Sequence, residues 1–232
     1  MLRYLLPLAL AGVSLAYAAE PPAPLVKDTK PIPLFNGRDL AGLEVFTETP
    51  SARPAWQVED GILRCVSTGK GYVRTLHAYS DYHLRVEWRW PEKPGNSGVM
   101  VNITGPDAVW PKSIECQLAH GRAGDFAFFS DARAQEEIVS RNPSGVSTGR
   151  LARNATAGPV EKPAGEWNTY DIEVAGDTVT LSVNGVPVNR ITGVAPSGGM
   201  IAFQAEGARV DFRNIQLTPL PAAKDLNAPM PR

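Results

Sequence analysis

The chain has 232 residues and a formal net charge of −1, from 23 Lys plus Arg against 24 Asp plus Glu. That length suits one domain, and 43% hydrophobic with 20% charged residues excludes wholesale disorder. The even charge leaves no general electrostatic case for binding nucleic acid or an anionic membrane, and 21 Gly with 21 Pro favour a turn-rich all-β fold.

Residues 1–18 read as a secretory signal peptide. Met1-Leu-Arg3 is a short positive start, Leu5 to Leu15 is apolar, and Ala16-Tyr17-Ala18 fits a small-x-small cleavage site. The apolar run is too short to span a bilayer and contains Pro7, so no membrane span is expected after cleavage and the mature chain is expected to be periplasmic or secreted. Residues 19–33 form a Pro-rich lead-in, 34–218 a single β domain, and 219–232 a tail of the same character as the lead-in.

Inside the domain, short runs of β-type residues alternate with turn signals. Trp56 to Val66 reads as two strands around Asp60-Gly61, the strongest kind of hairpin signal. Further strands are expected at His83–Trp90, Val99–Ile103 and Ser113–Ala119. Only Ala132 to Val139 hints at a helical stripe, and Ser140 to Pro163 has no strand pattern, so it reads as a long connection. Trp167–Val174, Thr178–Val183 and Val186–Arg190 form a meander turning at Gly176-Asp177 and Asn184-Gly185. Met200–Ala205 and Val210–Leu217 close the series. Many short strands with such turns indicate a β-sandwich or jelly roll.

Period-two alternation separates core from chemistry. In His83–Trp90 it turns Leu84, Val86, Trp88 and Trp90 to the core, and Arg85, Glu87 and Arg89 to the opposite face. In Ser113–Ala119 the core face is Ile114, Cys116 and Leu118, and Glu115 and Gln117 face away. Gln204 opposes buried Ile201 and Phe203. These polar rows suit either a solvated outer face with paired charges or a surface that binds a polar ligand such as a sugar. Gly95-Asn-Ser-Gly98 is either an ordinary turn or a tight loop placing Asn96 and Ser97 beside a ligand. His120, at a strand end among glycines, suits proton transfer. His77 and His83 make no metal spacing with it. No zinc, EF-hand, phosphate-loop or nucleophile-elbow motif is present, so neither metal nor other cofactor is expected. Cys65 and Cys116 belong to no redox pair, and the sequence leaves open whether they are bridged. Asn102-Ile-Thr104 matches the N-glycosylation pattern, as does Asn154-Ala-Thr156.

Nine phrases occur in a telling order. They are Pro33–Gly42, Trp56–Leu63, Tyr79–Arg89, Gly95–Val99, Ile114–Gln117, Gly165–Tyr170, Val183–Val186, Ile201–Gly207 and Val210–Ile215. Together they resemble the 3-keto-disaccharide hydrolase domain family of secreted bacterial proteins, from about Pro33 to Leu217. The resemblance implies a concanavalin A-like jelly-roll sandwich and action on sugars oxidised at C3. It carries over Glu87, Arg89, Asn96, Ser97, Glu115, Gln117 and Gln204 as site-lining residues. The segment Ala119-His120-Gly121 departs from the family, which frequently has an acidic or amide residue there.

A C3 ketone makes the C2 proton acidic and places the C1 substituent beta to a carbonyl, so cleavage can run by elimination and hydration. Such a site needs a base near C2, donors for the enolate oxygen and an acid for the leaving oxygen. On the resemblance, Glu115 or Glu87 is expected as base, Arg89 or Gln117 as donor and His120 as acid, with Arg85 also binding substrate. A two-carboxylate glycosidase scheme using Glu87 and Glu115 is the direct alternative. The competing classes are a non-catalytic carbohydrate-binding module and an envelope interaction protein without a sugar role. Glu87, Arg89, Asn96, Glu115, Gln117 and Gln204 are expected to converge on one concave pocket.

Overall fold

The computed structural model describes residues 30–48, 56–66, 69–135, 146–147, 149–153 and 157–221. The signal peptide, residues 19–29 of the lead-in, Asn154 and residues 222–232 lie outside the described residues. Seventeen strands and no α-helix occur among those described. In chain order the first nine are β1 (Ile32–Pro33), β2 (Leu43–Thr47), β3 (Trp56–Glu59), β4 (Ile62–Cys65), β5 (Lys70–Thr75), β6 (Tyr82–Arg89), β7 (Gly98–Thr104), β8 (Lys112–Gln117) and β9 (Phe126–Phe129). There follow β10 (Arg133–Gln135), β11 (Val146–Ser147), β12 (Gly149–Leu151), β13 (Asn168–Ala175), β14 (Thr178–Val183), β15 (Val186–Ala195), β16 (Met200–Glu206) and β17 (Val210–Pro219). The expected strands are all present, and the hairpin turns fall where the sequence puts them. Asp60-Gly61 joins β3 to β4 and Asn184-Gly185 joins β14 to β15, each residue with positive φ, as a type I′ turn requires.

The strands form two antiparallel sheets. One has the order β11-β10-β15-β14-β13-β6-β17-β4-β3, with β1 added against β17. The other has the order β12-β9-β8-β7-β16-β5-β2. Each sheet buries one face against the other, which is why the inward side chains alternate along every long strand. Val86, Trp88, Tyr170 and Phe212 of the larger sheet meet Val99, Ile114, Cys116 and Phe203 of the smaller in one core. Trp88 and Trp90 are buried, with ring centroids 5.5 Å apart at 78°, the edge-to-face arrangement aromatic quadrupoles favour. Cys65 and Cys116 are both buried.

In the described part of Ala132–Val139, Arg133–Gln135 is a short strand paired with β15 and not a helix, so β-pairing overrides a weak local periodicity there; residues 136–139 lie outside the described residues. The long connection from Ser140 also contains the edge strands β11 and β12. Asn102 is fully buried and donates its Nδ2 to the Pro196 carbonyl, so the first glycosylation match is closed to modification in the folded chain.

Trp88 is the test of the face assignment. Trp88→Ala is expected to cost about 3–5 kcal/mol in chemical denaturation, whereas Arg85→Ala, on the solvent side of the same strand, should cost under about 1 kcal/mol. Equal losses would contradict the assignment.

Candidate active site

The two polar rows fall on opposite sides of the sandwich. Arg85, Glu87 and Arg89 lie on the outer face of the larger sheet. Glu115, Gln117 and Gln204 lie on the outer face of the smaller. The expectation of a single pocket therefore fails for Glu87 and Arg89. The physical reason is that alternation fixes which face of its own sheet a residue takes but not which sheet a strand joins.

The outer face of the larger sheet is a lattice of paired charges. Arg85 donates to Asp171, Arg89 to Asp211, and Arg213 and Asn214 to Glu87. Arg89 and Arg213 stack over Trp167 at 4.5 and 4.0 Å. Partial burial pushes the Glu87 carboxyl up, but hydrogen bonds from Asn214 and Arg213 with nearby guanidinium charge outweigh it and hold it below its ordinary value. It is an ionised, tied group on a solvated face.

The smaller sheet is different. Arg74 of β5, Ala202 of β16, Met100 of β7, Glu115 of β8, Ala127 of β9 and Arg150 of β12 are successive register partners in one line across its outer face. Ala202, Met100 and Ala127 make half of this line apolar, and Glu115 at 1% exposure stands in a medium poorer than water. Tyr72, Met100, Ile103 and Ala202 form a second apolar cluster there. The β7–β8 connection folds over this face at both ends. Asp107 accepts from the Tyr72 hydroxyl at 2.8 Å and from Arg74 at 3.1 Å, and Trp110 stacks on Phe129 at 5.0 Å.

Glu115, on the same face, is 1% exposed. Its carboxyl fits because residue 98 is glycine: a Cβ there would stand 2.6 Å from Glu115 Cγ and closer still to Oε1. Burial, then the charge of Glu206, push the Glu115 carboxyl up to about 8 against the pull of Arg150 and Arg122. Glu206 is itself raised by burial, with Lys70 and Arg150 pulling the other way. Gln204, 1% exposed, bridges the two acids. Its amide nitrogen faces both, donating to Glu115 Oε1 at 3.1 Å and Glu206 Oε2 at 3.0 Å.

The remaining expected residues lie on two hydrogen-bonded segments, Gly95–Gly98 and Gln117–His120. Ser97 is buried and its hydroxyl donates to the Gln204 carbonyl, so it ties β7 to β16. The Gln117 side-chain carbonyl accepts from the Leu118 and Ala119 amides, capping the strand end. Asn96, beside that tie, keeps a buried Oδ1 without a hydrogen-bond partner. His120 is held at 3.1 Å by Glu161, a residue of the segment leading to β13, and not by Glu115. No metal-binding cluster of His, Cys, Asp or Glu occurs among the described residues.

Sequence reasoning missed Glu206 and Arg150. Glu206 carries the same parity as Gln204 in β16, so alternation alone places it on this face. Arg150 stands on a three-residue edge strand with no period to read.

Known structures share the architecture. A glycosyl-hydrolase candidate from Parabacteroides distasonis superposes with a TM-score of 0.60 at 20% identity, covering 82% of this chain and 94% of that one. A carbohydrate-binding module from Bacillus subtilis gives 0.55 at 13% identity, with 76% and 95% covered. A Bacillus licheniformis beta-glucanase gives 0.54 at 12%, with 82% and 97% covered. At these identities the likeness is one of fold, a concanavalin A-like jelly roll. No curated protein matches the sequence. Residues 30–218 match the family described as 3-keto-alpha-glucoside-1,2-lyase-like domain, nearly the whole described sandwich. The chain belongs to that family, whose concern is carbohydrate.

Proposed function

We propose that the protein cleaves glycosides whose sugar carries a ketone at C3, and that Glu115 donates the proton to the leaving oxygen at C1. The reading rests on one observation above others: a buried carboxyl, kept protonated near neutral pH, on the outer face of the smaller sheet in a chain of this family. An ordinary carboxylate near pKa 4.5 is ionised at pH 7 and cannot donate. One raised to about 8 holds its proton there and can.

This changes the expected roles. Glu115 is the acid rather than the base, and His120, paired with Glu161, is not needed for that task. Arg89 is engaged by Asp211 on the far side of the sandwich. Positive charge for the ketone oxygen, where the enolate's negative charge gathers, comes instead from Arg150 and Arg122, whose fields already reach Glu115. The chemistry is placed outside the cytoplasm, after removal of residues 1–18. A non-catalytic sugar-binding role draws on the likeness to the Bacillus subtilis carbohydrate-binding module and predicts retention of intact ligand.

The pH dependence tests the acid role. The acid is active while protonated, so kcat/KM should fall as pH rises through about 8. A limb that rises through that pH would make Glu115 a base and overturn the assignment. Glu87→Gln serves as the control. It lies on the other sheet, so turnover should stay within about twofold of wild type, and stability should fall by about 1 kcal/mol or less. A large loss of turnover would return Glu87 to the site.

A further inference from the structure

We infer that Glu206 is the base that removes the C2 proton, working as the second carboxylate of a pair with Glu115. The inference rests on the 3-keto reading above and adds the residue that reading leaves unnamed.

The geometry carries it. One amide nitrogen of Gln204 donates to both acids, at 3.1 and 3.0 Å, so the bonded oxygens are at most about 6 Å apart. That span lets two carboxyl groups address neighbouring atoms of one sugar ring. Both stand on the outer face of the same sheet, and Gln204 sits two residues from Glu206 on β16, so the strand's own period aims them together.

Environment separates their roles. Glu115 is almost wholly buried, whereas Glu206 is half-buried. The cations whose charge reaches the pair are Lys70 on β5 opposite Glu206, Arg150 on β12, and Arg122 in the β8–β9 turn. Burial raises the Glu206 carboxyl too, but Lys70 and Arg150 pull against it and Glu206 is the less buried of the two, so it gives up its proton first. Two acids this close do not both ionise readily, and the one deeper in the apolar face keeps the proton. The resting pair is therefore protonated Glu115 beside ionised Glu206, with the Gln204 amide holding the distance.

The step balances without an added oxidant or reductant. Glu206 takes the proton from C2, and the C–H electron pair moves into a C2–C3 double bond as charge passes to the ketone oxygen. The enolate re-forms the ketone, C1–C2 becomes the double bond, and the C1–O bond breaks. The leaving oxygen takes the Glu115 proton. Water then adds to C1 while Glu115 takes its proton, and Glu206 returns a proton to C2, which restores both acids.

The test separates this inference from the reading under it. A 3-keto 1,5-anhydro sugar has no leaving group at C1, so only the C2 step can proceed. Its exchange of hydrogen for deuterium is followed by NMR in heavy water, with the equally acidic C4 position as internal reference. Wild type should exchange C2 selectively. Glu206→Gln should lower that rate by about 10²–10⁴-fold, and Glu87→Gln, on the other sheet, should retain it. Glu206→Asp, which keeps the carboxylate but draws it back, should fall between, and its partial rate reports the base even if the Gln variant folds poorly. Wild-type exchange in Glu206→Gln overturns the inference alone. No exchange in wild type together with no cleavage of any 3-keto glycoside overturns the reading and the inference with it.

Discussion

Glu115→Gln should lower turnover of a 3-keto glycoside with an ordinary alcohol leaving group by about 10²–10⁴-fold, on the order of 3–5 kcal/mol of barrier. Gln keeps the shape and the hydrogen-bonding capacity but has no proton to give. The loss should therefore shrink when the leaving group needs none, as with a 3-keto nitrophenyl glycoside. Unfolding does not account for such a loss. The folded-state pKa of Glu115 is raised, so its contribution to stability is fully present below the unfolded value near 4.5 and is lost as pH rises through about 8. The Gln variant escapes that loss, so its denaturation midpoint should gain on wild type between those pH values. Equal losses on both leaving groups would contradict the acid role.

Gly98→Ala should damage activity far more than it damages the fold. The added Cβ would lie 2.6 Å from Glu115 Cγ and 2.8 Å from its Cδ, inside any real contact distance. The backbone of Gly98 is not in the left-handed region, so Ala is conformationally acceptable there. What must move is the end of the Glu115 side chain, not the sheet. Overpacking of this kind costs about 1–3 kcal/mol of stability. The displaced acid should cost at least about tenfold in kcat, because misplaced catalytic groups lose rate steeply. Full activity in Gly98→Ala would show that the position of the Glu115 carboxyl does not matter.

The strands and their inward faces were legible in the sequence because alternation is a local property. Trp88 and Trp90 face the core, and Asp60-Gly61 and Asn184-Gly185 turn the chain, as their residues demand. Partition between sheets was not legible. β6 and β8 each show an acid opposite a buried row, and nothing within either strand says that they join different sheets. Glu87 and Glu115 looked equivalent for that reason. The setting of Glu115 was equally hidden, since its neighbours come from other strands: Gly98 of β7, and Gln204 and Glu206 of β16. The cover that the β7–β8 connection lays over Tyr72 and Arg74 through Asp107 was hidden in the same way. Leu43–Thr47 and Lys70–Thr75 form strands that the turn-and-run pattern passed over, and Tyr72 and Arg74, which anchor the cover, went unread with them.

The most direct test of the central claim pairs two substrates that differ at one carbon. Purified protein is incubated with a glucoside oxidised to the ketone at C3 and, separately, with the unoxidised parent, and the released alcohol is quantified. The account predicts release from the 3-keto glucoside and none above background from the parent, because only the ketone makes C2 acidic. Binding of the 3-keto glucoside with all of it recovered intact, or equal release from both substrates, would contradict it.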